Sequence, residues 1–315
     1  MKTVPYMLKL QGLKSRKGNI SLRTLGAISN TLLDACERAL RFAVEGVSVK
    51  RGKTPAWLEK SIDINVGGIH PGSTIIDLDA PILEETAFPQ IERQSFLDVQ
   101  PKGEDTALTV LAKAVSDALS NDVEGNFFDR GVLDALLNFK SLLGPNVRME
   151  IDCQERPLEH IGVAKTEFEK ISTLEARIPQ PQVTIVAGRC NLIERSHGRF
   201  ELLLEDGRKI QGALDPTLIH AEKMRELWAK KVTLKGIAHF TPSGRIRYIE
   251  AQAIKDFEPT EKLFEAMPGH QTSFEFLSEL RRKHPSNELP KEIWGKWPGD
   301  ESIEELLDLL SKQEK

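Results

Sequence analysis

From Val183 to Asp256 short apolar runs alternate with turn signals, a spacing that leaves room for little besides a small all-β unit. The runs Val183–Glu194, Arg199–Glu205, Lys209–Ala213, Lys231–Phe240 and Arg245–Ile254 read as strands. Ser196-His197-Gly198, Glu205-Asp206-Gly207 and Thr241-Pro242-Ser243-Gly244 supply the turns between them. Asp215–Trp228 reads as a helix, with Asp215 as N-cap and Pro216 at the first helical position. Within the second run, alternation places Leu203 inward, with Leu202 and Leu204 on the opposite face.

Five strands with one helix before the fourth resemble the small barrels of the OB or SH3-like type. Fold alone assigns no function. The barrel stretch holds 13 Lys or Arg against 9 Asp or Glu. Arg189, Arg199, Arg208, Lys235, Arg245 and Arg247 lie on strands or beside turns, with Phe200, Phe240 and Tyr248 interleaved. A basic groove with stacking aromatics is how such barrels hold single-stranded nucleic acid, so these six cations form a candidate nucleic-acid surface.

The chain before the barrel reads as an α+β domain. Tyr6–Leu13 is a first strand, and Ser15–Asn19 is a basic turn. Ser21–Val44 is a long helix, with Ser21 as N-cap and Gly46 as its stop. Ser61–Val66 and Ser73–Leu78 read as a hairpin about the turn GGIHPGS, followed by an irregular connection over Glu84–Lys102. Thr106–Leu119 and Arg130–Leu143 carry helical apolar stripes, Val147–Ile151 is a further strand, and Glu167–Leu174 a short helix. Strands and helices in this order argue against a parallel doubly wound sheet. Ile178-Pro179-Gln180-Pro181 marks the expected boundary. The expected division is 1–178 α+β, 182–258 barrel and 259–315 helical tail.

A length of 315 residues suits about two domains. A net charge of −4 does not indicate a strongly basic nucleic-acid binder, though it leaves a local basic face open. No apolar run approaches the length of a membrane span, and no signal peptide is evident. Cys36, Cys153 and Cys190 are isolated and odd in number, as expected of reduced thiols in a cytoplasmic protein. No paired metal-ligand spacing and no cofactor motif are present, so no metal, cofactor or catalytic residue is expected. GGIHPGST lacks the phosphate-loop pattern and leads into a strand, so it reads as a turn. His197, His220 and His239 lie in one domain without ligand spacing. Asp63, Asp77 and Asp79 could converge across the hairpin, but without a partner base they read as solvated strand-face acids.

The C-terminal segment is the most specific feature. Ser273–Arg282 is amphipathic and ends at His284-Pro285. Further on, Ile303, Leu306, Leu307 and Leu310 recur at i, i+3, i+4 and i+7, one apolar stripe on a helix. Five acids and no base lie between Asp300 and Leu309, and Ser302 or Asp300 can cap the helix. A helix this short is marginal alone and must dock, on its own protein or on a partner. Trp294 and Trp297 precede it as candidate anchors. The partner-binding set is therefore Trp294, Trp297, Asp300, Ile303, Leu306, Leu307 and Leu310.

Lys296–Leu310 resembles the C-terminal tails of bacterial antitoxins that pair with PIN-domain ribonuclease toxins, through Trp297, Pro298, Gly299, Asp300, Glu301, Glu304, Leu306 and Leu307. The likeness covers the last 20 or so residues. It implies a non-enzymatic bacterial interaction protein, with a PIN-type toxin as protein partner. Such antitoxins are short and begin with a small DNA-binding domain, whereas this chain places a large body first. The alternative is a nucleic-acid-binding module acting through the barrel.

Overall fold

The computed structural model describes residues 1–12, 20–50, 52–70, 74–94, 100–120, 125–143, 146–153, 161–194, 198–214, 227 and 229–265. By compactness the chain divides into residues 1–270 and 271–315, and all described residues belong to the first unit. That unit is α+β, with a five-stranded sheet and a closed five-stranded barrel. The expected turn at Ser15–Asn19 and nearly all of the helix expected at Asp215–Trp228 lie outside the described residues, as do Trp294, Trp297, Asp300, Ile303, Leu306, Leu307 and Leu310.

The sheet is built from β1 (Thr3–Gln11), β2 (Asn65–His70), β3 (Thr74–Pro81), β4 (Arg148–Cys153) and β5 (Ile161–Val163), in the order β2-β3-β1-β4-β5. Every pairing is antiparallel. Strand side chains alternate, and β1 shows it cleanly: Val4, Tyr6, Leu8 and Leu10 are buried while Pro5, Met7 and Lys9 are half-exposed. The buried parity joins one core with α1 (Leu22–Glu45), α2 (Ala56–Ser61), α3 (Leu83–Thr86), α4 (Phe88–Gln94), α5 (Ala107–Leu119), α6 (Arg130–Leu143) and α7 (Lys165–Arg177).

Capping fixes the two long helices that cover β1. Ser21 Oγ accepts the Thr24 N–H, and Gly46, at φ 80°, stops α1 and donates its N–H to the Phe42 carbonyl. At α5, Thr106 and Thr109 cap each other, and Tyr6 Oη lies 2.7 Å from Thr106 Oγ1 and 3.1 Å from Thr109 Oγ1. A buried phenol thereby finds its partners at a helix start, which ties the central strand to α5.

The barrel consists of β6 (Gln182–Glu194), β7 (Arg199–Leu203), β8 (Lys209–Leu214), β9 (Lys231–Phe240) and β10 (Ile246–Asp256). It closes as β10-β8-β7-β6-β9, with β9 returning to β10 and one parallel pairing, β8 with β10. Its interior is a second core that includes Val186, Phe200, Leu202, Leu204, Leu234 and Ile249. A 3-10 helix, Pro259–Glu265, follows.

Several local expectations are corrected. Leu202 and Leu204 face the core and Leu203 is only half-buried, the reverse of the expected face. Three consecutive leucines fit either register, and Phe200, sharing parity with Leu202 and Leu204, decides it. The expected strand at Ser61–Val66 begins only at Asn65. Its first residue instead ends α2, where Ser61 Oγ donates to the Trp57 carbonyl. Gly67 to His70, read as turn, belong to β2. The irregular connection after Glu84 contains α4, and β5 is an unforeseen strand of three residues. No described helix is long and apolar enough to cross a membrane.

Leu202→Ala is expected to destabilise the protein by about 2–5 kcal/mol, the range for a fully buried leucine, and Leu203→Ala by clearly less. Denaturant midpoints of the two variants check this. Equal losses would contradict the assigned faces.

Candidate functional site

Each cation proposed for the barrel has an assignable position. Arg247, on β10, donates from a terminal nitrogen to the Phe128 carbonyl at 2.9 Å, and its guanidinium lies 5.2 Å from the Phe42 ring centre. Gly125, at φ 57°, passes close beside: a side chain there would meet the Phe128 ring and the Arg247 guanidinium. Arg199, at the start of β7, donates to the Val44 carbonyl at 3.1 Å, close to the C-terminus of α1. A cation is favoured there by the unpaired carbonyls of the last turn. Both arginines thus join the barrel to the helical layer.

The other four do not form one groove. Arg189 donates through Nε to the Ala229 carbonyl, and Arg208 pairs with Asp206 at 2.6 Å. Lys235 is exposed midway along β9. Arg208 and Arg245 sit in the β7–β8 and β9–β10 turns; the strand registers set the first level with the middle of β6, near Arg189, and the second beyond its Gln182 end. The aromatics are also engaged elsewhere: Phe200 and Phe240 belong to the barrel core and Tyr248 is buried. Burial, with Glu250 and Glu45 adding to it and Arg199 opposing, pushes the Tyr248 phenol well above its ordinary range.

The hairpin acids gather in part. Asp77 and Asp79 lie on the half-exposed face of β3, with a His70 ring nitrogen 2.6 Å from Asp77 Oδ2. Asp63 precedes β2 and is off the sheet. Among the described residues no group of three or more His, Cys, Asp or Glu is placed to hold a metal ion. His197 and His220 lie outside the described residues, and His239 contacts Glu250 at 2.9 Å. Burial pushes the Cys36 thiol far up and that of Cys190 up to about 11, so neither is a poised nucleophile.

What the fold does assemble is an apolar surface that sequence reasoning missed. Val186 and Cys190 face the barrel core, so Val183, Ile185 and Ala187 face outward on β6. Val183 is 59% exposed and Ile185 39% exposed. Across the ladder Val183 meets Ile237 and Ile185 meets Lys235. At one end of this strip Ala187 and Thr233 are buried although they point outward, where the 3-10 helix lies against β6. Thr233 Oγ1 donates to Glu261 at 2.7 Å, and Lys255 pairs with Glu261 at 2.7 Å. At the other end the strip runs into a groove of ≈ 290 Å³, lined by Val49, Ile178, Pro179, Pro181 and His239 among others. Among the described residues seven large apolar side chains are exposed, and Val49, Val183 and Ile185 fall on this one face.

The groove wall is rigidly made. Asp129 caps α6 by accepting the Val132 N–H through Oδ1, and through Oδ2 it accepts the N–H of Ser48 beyond α1. Arg130 pairs with Glu175 and donates to the Ile178 carbonyl at 2.9 Å, so the Ile178-Pro179 segment is held against the helices and both residues are buried. The alternation of Val183 and Ile185 was legible in the sequence, but the side of the barrel left uncovered depends on Arg199 and Arg247.

Arg247→Ala is expected to cost about 2–3 kcal/mol, from a charge-assisted hydrogen bond and a cation–π contact. Val183→Lys and Ile185→Lys should each stay within about 0.5 kcal/mol of the parent, as exposed positions do. Thermal and denaturant unfolding read both. A large loss at Val183 with none at Arg247 would contradict the placement. In comparisons with protein-family models and with curated protein sequences, the chain matches none.

Proposed function

We propose that the chain is a non-enzymatic interaction protein that binds a protein partner. The observation that carries this reading is the continuous outward apolar face formed by Ile185, Val183 and Ile237 and the groove beyond them. Contiguous exposed apolar surface of this kind marks protein contact sites. The C-terminal segment supports the reading from sequence, since the stripe Ile303, Leu306, Leu307 and Leu310, with Trp294 and Trp297 before it, is an element that has to dock. Its resemblance to antitoxin tails makes a PIN-type nuclease the partner to test first. The acids between Asp300 and Leu309 would speed encounter with a basic rim and set specificity. The nucleic-acid reading is the less favoured one, because Arg199 and Arg247 are engaged with the helical layer and the aromatics are buried.

Titration of the full chain against a PIN-domain nuclease, by calorimetry, tests the reading. Leu306→Asp with Leu307→Asp should weaken binding at least tenfold by placing charge against an apolar groove. Val183→Lys with Ile185→Lys should weaken it measurably as well. A single-stranded oligonucleotide titrated in parallel at low salt should show no binding. Binding of the oligonucleotide that falls steeply with salt and is lost on replacing Lys235 and Arg245 would favour the barrel as a nucleic-acid module instead.

A further inference from the structure

Among the described residues β2 is an edge of the sheet, with β3 as its one neighbour. Edges expose unpaired backbone groups, and natural proteins blunt them with lysine, proline, inward-pointing charge or a bulge, of which β2 carries the bulge. Asn65-Val66-Gly67-Gly68-Ile69-His70 contains no lysine, arginine, acid or proline. It exposes Val66 at 51% and Ile69 at 44%.

The register of β2 on β3 shifts between Val66 and Gly68, which makes Gly67 a bulge. Residues directly opposite each other in a ladder project to the same side. Val66 lies opposite Leu78 and Ile69 opposite Ile76, both core residues, so Val66 and Ile69 project to the helix-bearing side although they are three apart. Asn65, opposite Asp79, and His70, opposite Ile75, project to the other side.

We infer that β2 pairs antiparallel with β2 of a second copy of this chain, about a two-fold axis at Gly67-Gly68, to make one continuous sheet. In this register Val66 faces Ile69 of the other copy and Asn65 faces its His70. A two-fold axis normal to the sheet returns every residue to its own side, so facing residues must share a side. In a regular strand Val66 and Ile69 would project to opposite sides, as would Asn65 and His70, and the register would be forbidden. The Gly67 bulge gives each pair a common side and keeps both helical layers on one side of the joined sheet. The facing residues include no like charges. The acid of Asp79 stands beside Asn65 on the side where the other copy's imidazole arrives, which is a complementary placement. The two glycines at the axis put no side chain between the backbones. Six residues fall short of the roughly 800 Å² per partner of a standard interface, so the dimer is weak and concentration-dependent.

Sedimentation equilibrium of the full chain, from about 5 µM to about 500 µM, tests this across the range where small interfaces associate. The weight-average mass should rise from 35.3 kDa toward twice that value. Val66→Lys with Ile69→Lys should shift the midpoint of the rise at least tenfold upward while circular dichroism stays that of the parent. Val183→Lys with Ile185→Lys, on the barrel, should leave the rise intact. A mass that stays at 35.3 kDa throughout overturns the inference. So does an edge variant that associates like the parent, or a barrel variant that abolishes association.

Discussion

The seating of the barrel against the helical layer rests on the guanidinium of Arg247. It leaves the barrel on β10, donates to the Phe128 carbonyl and rests on the ring of Phe42. Phe42 and Phe128 are both fully buried in the core of the helical layer, so this one side chain couples two otherwise separate hydrophobic clusters. Arg199 at the end of α1 repeats the connection from β7. A planar, permanently charged fork suits the task, because it can donate to a carbonyl and stack on an aromatic face at once. With the barrel's orientation set in this way, the stretch of β6 and β9 around Val183, Ile185 and Ile237 remains uncovered among the described residues and carries the apolar strip.

Much of the architecture was legible because its signals are local. Ser21 and Gly46 bracket α1, the apolar stripe of α6 runs from Arg130 to Leu143, and β9 begins and ends where its alternation does. The misreadings share a physical cause. The three leucines at 202–204 satisfy either strand face, and burial of Phe200 alone selects one. β5 is three residues long and exists because β4 offers it an edge, a tertiary cause that periodicity cannot report. α2 was hidden because Ser61-Ile62-Asp63-Ile64 alternates like a strand, whereas Ala56 to Ser61 has good helix formers behind Pro55.

The candidate site was less legible than the fold. Counting cations along the barrel singled out Arg199 and Arg247 as ligand-binding, but an arginine beside a turn is equally suited to reach a buried carbonyl. Only the neighbouring elements distinguish the two uses, and Val44 and Phe128 are far from them in sequence. The apolar surface was missed for the opposite reason. Val183 and Ile185 look like ordinary strand residues, and what makes them notable is the absence, among the described residues, of a covering element, which a sequence does not record. The 3-10 helix covers Ala187 and Thr233 and stops short of them.

The claim that the two cores are coupled through the arginines is tested most directly by native-state hydrogen exchange of the full chain. Amides of α1 and α5 and those of β6, β9 and β10 should open with the same free energy, and Arg247→Ala should lower the value for the barrel more than for the sheet and helices. Barrel amides that already exchange at a distinctly lower opening free energy in the parent, and do not respond to Arg247→Ala, would contradict the account.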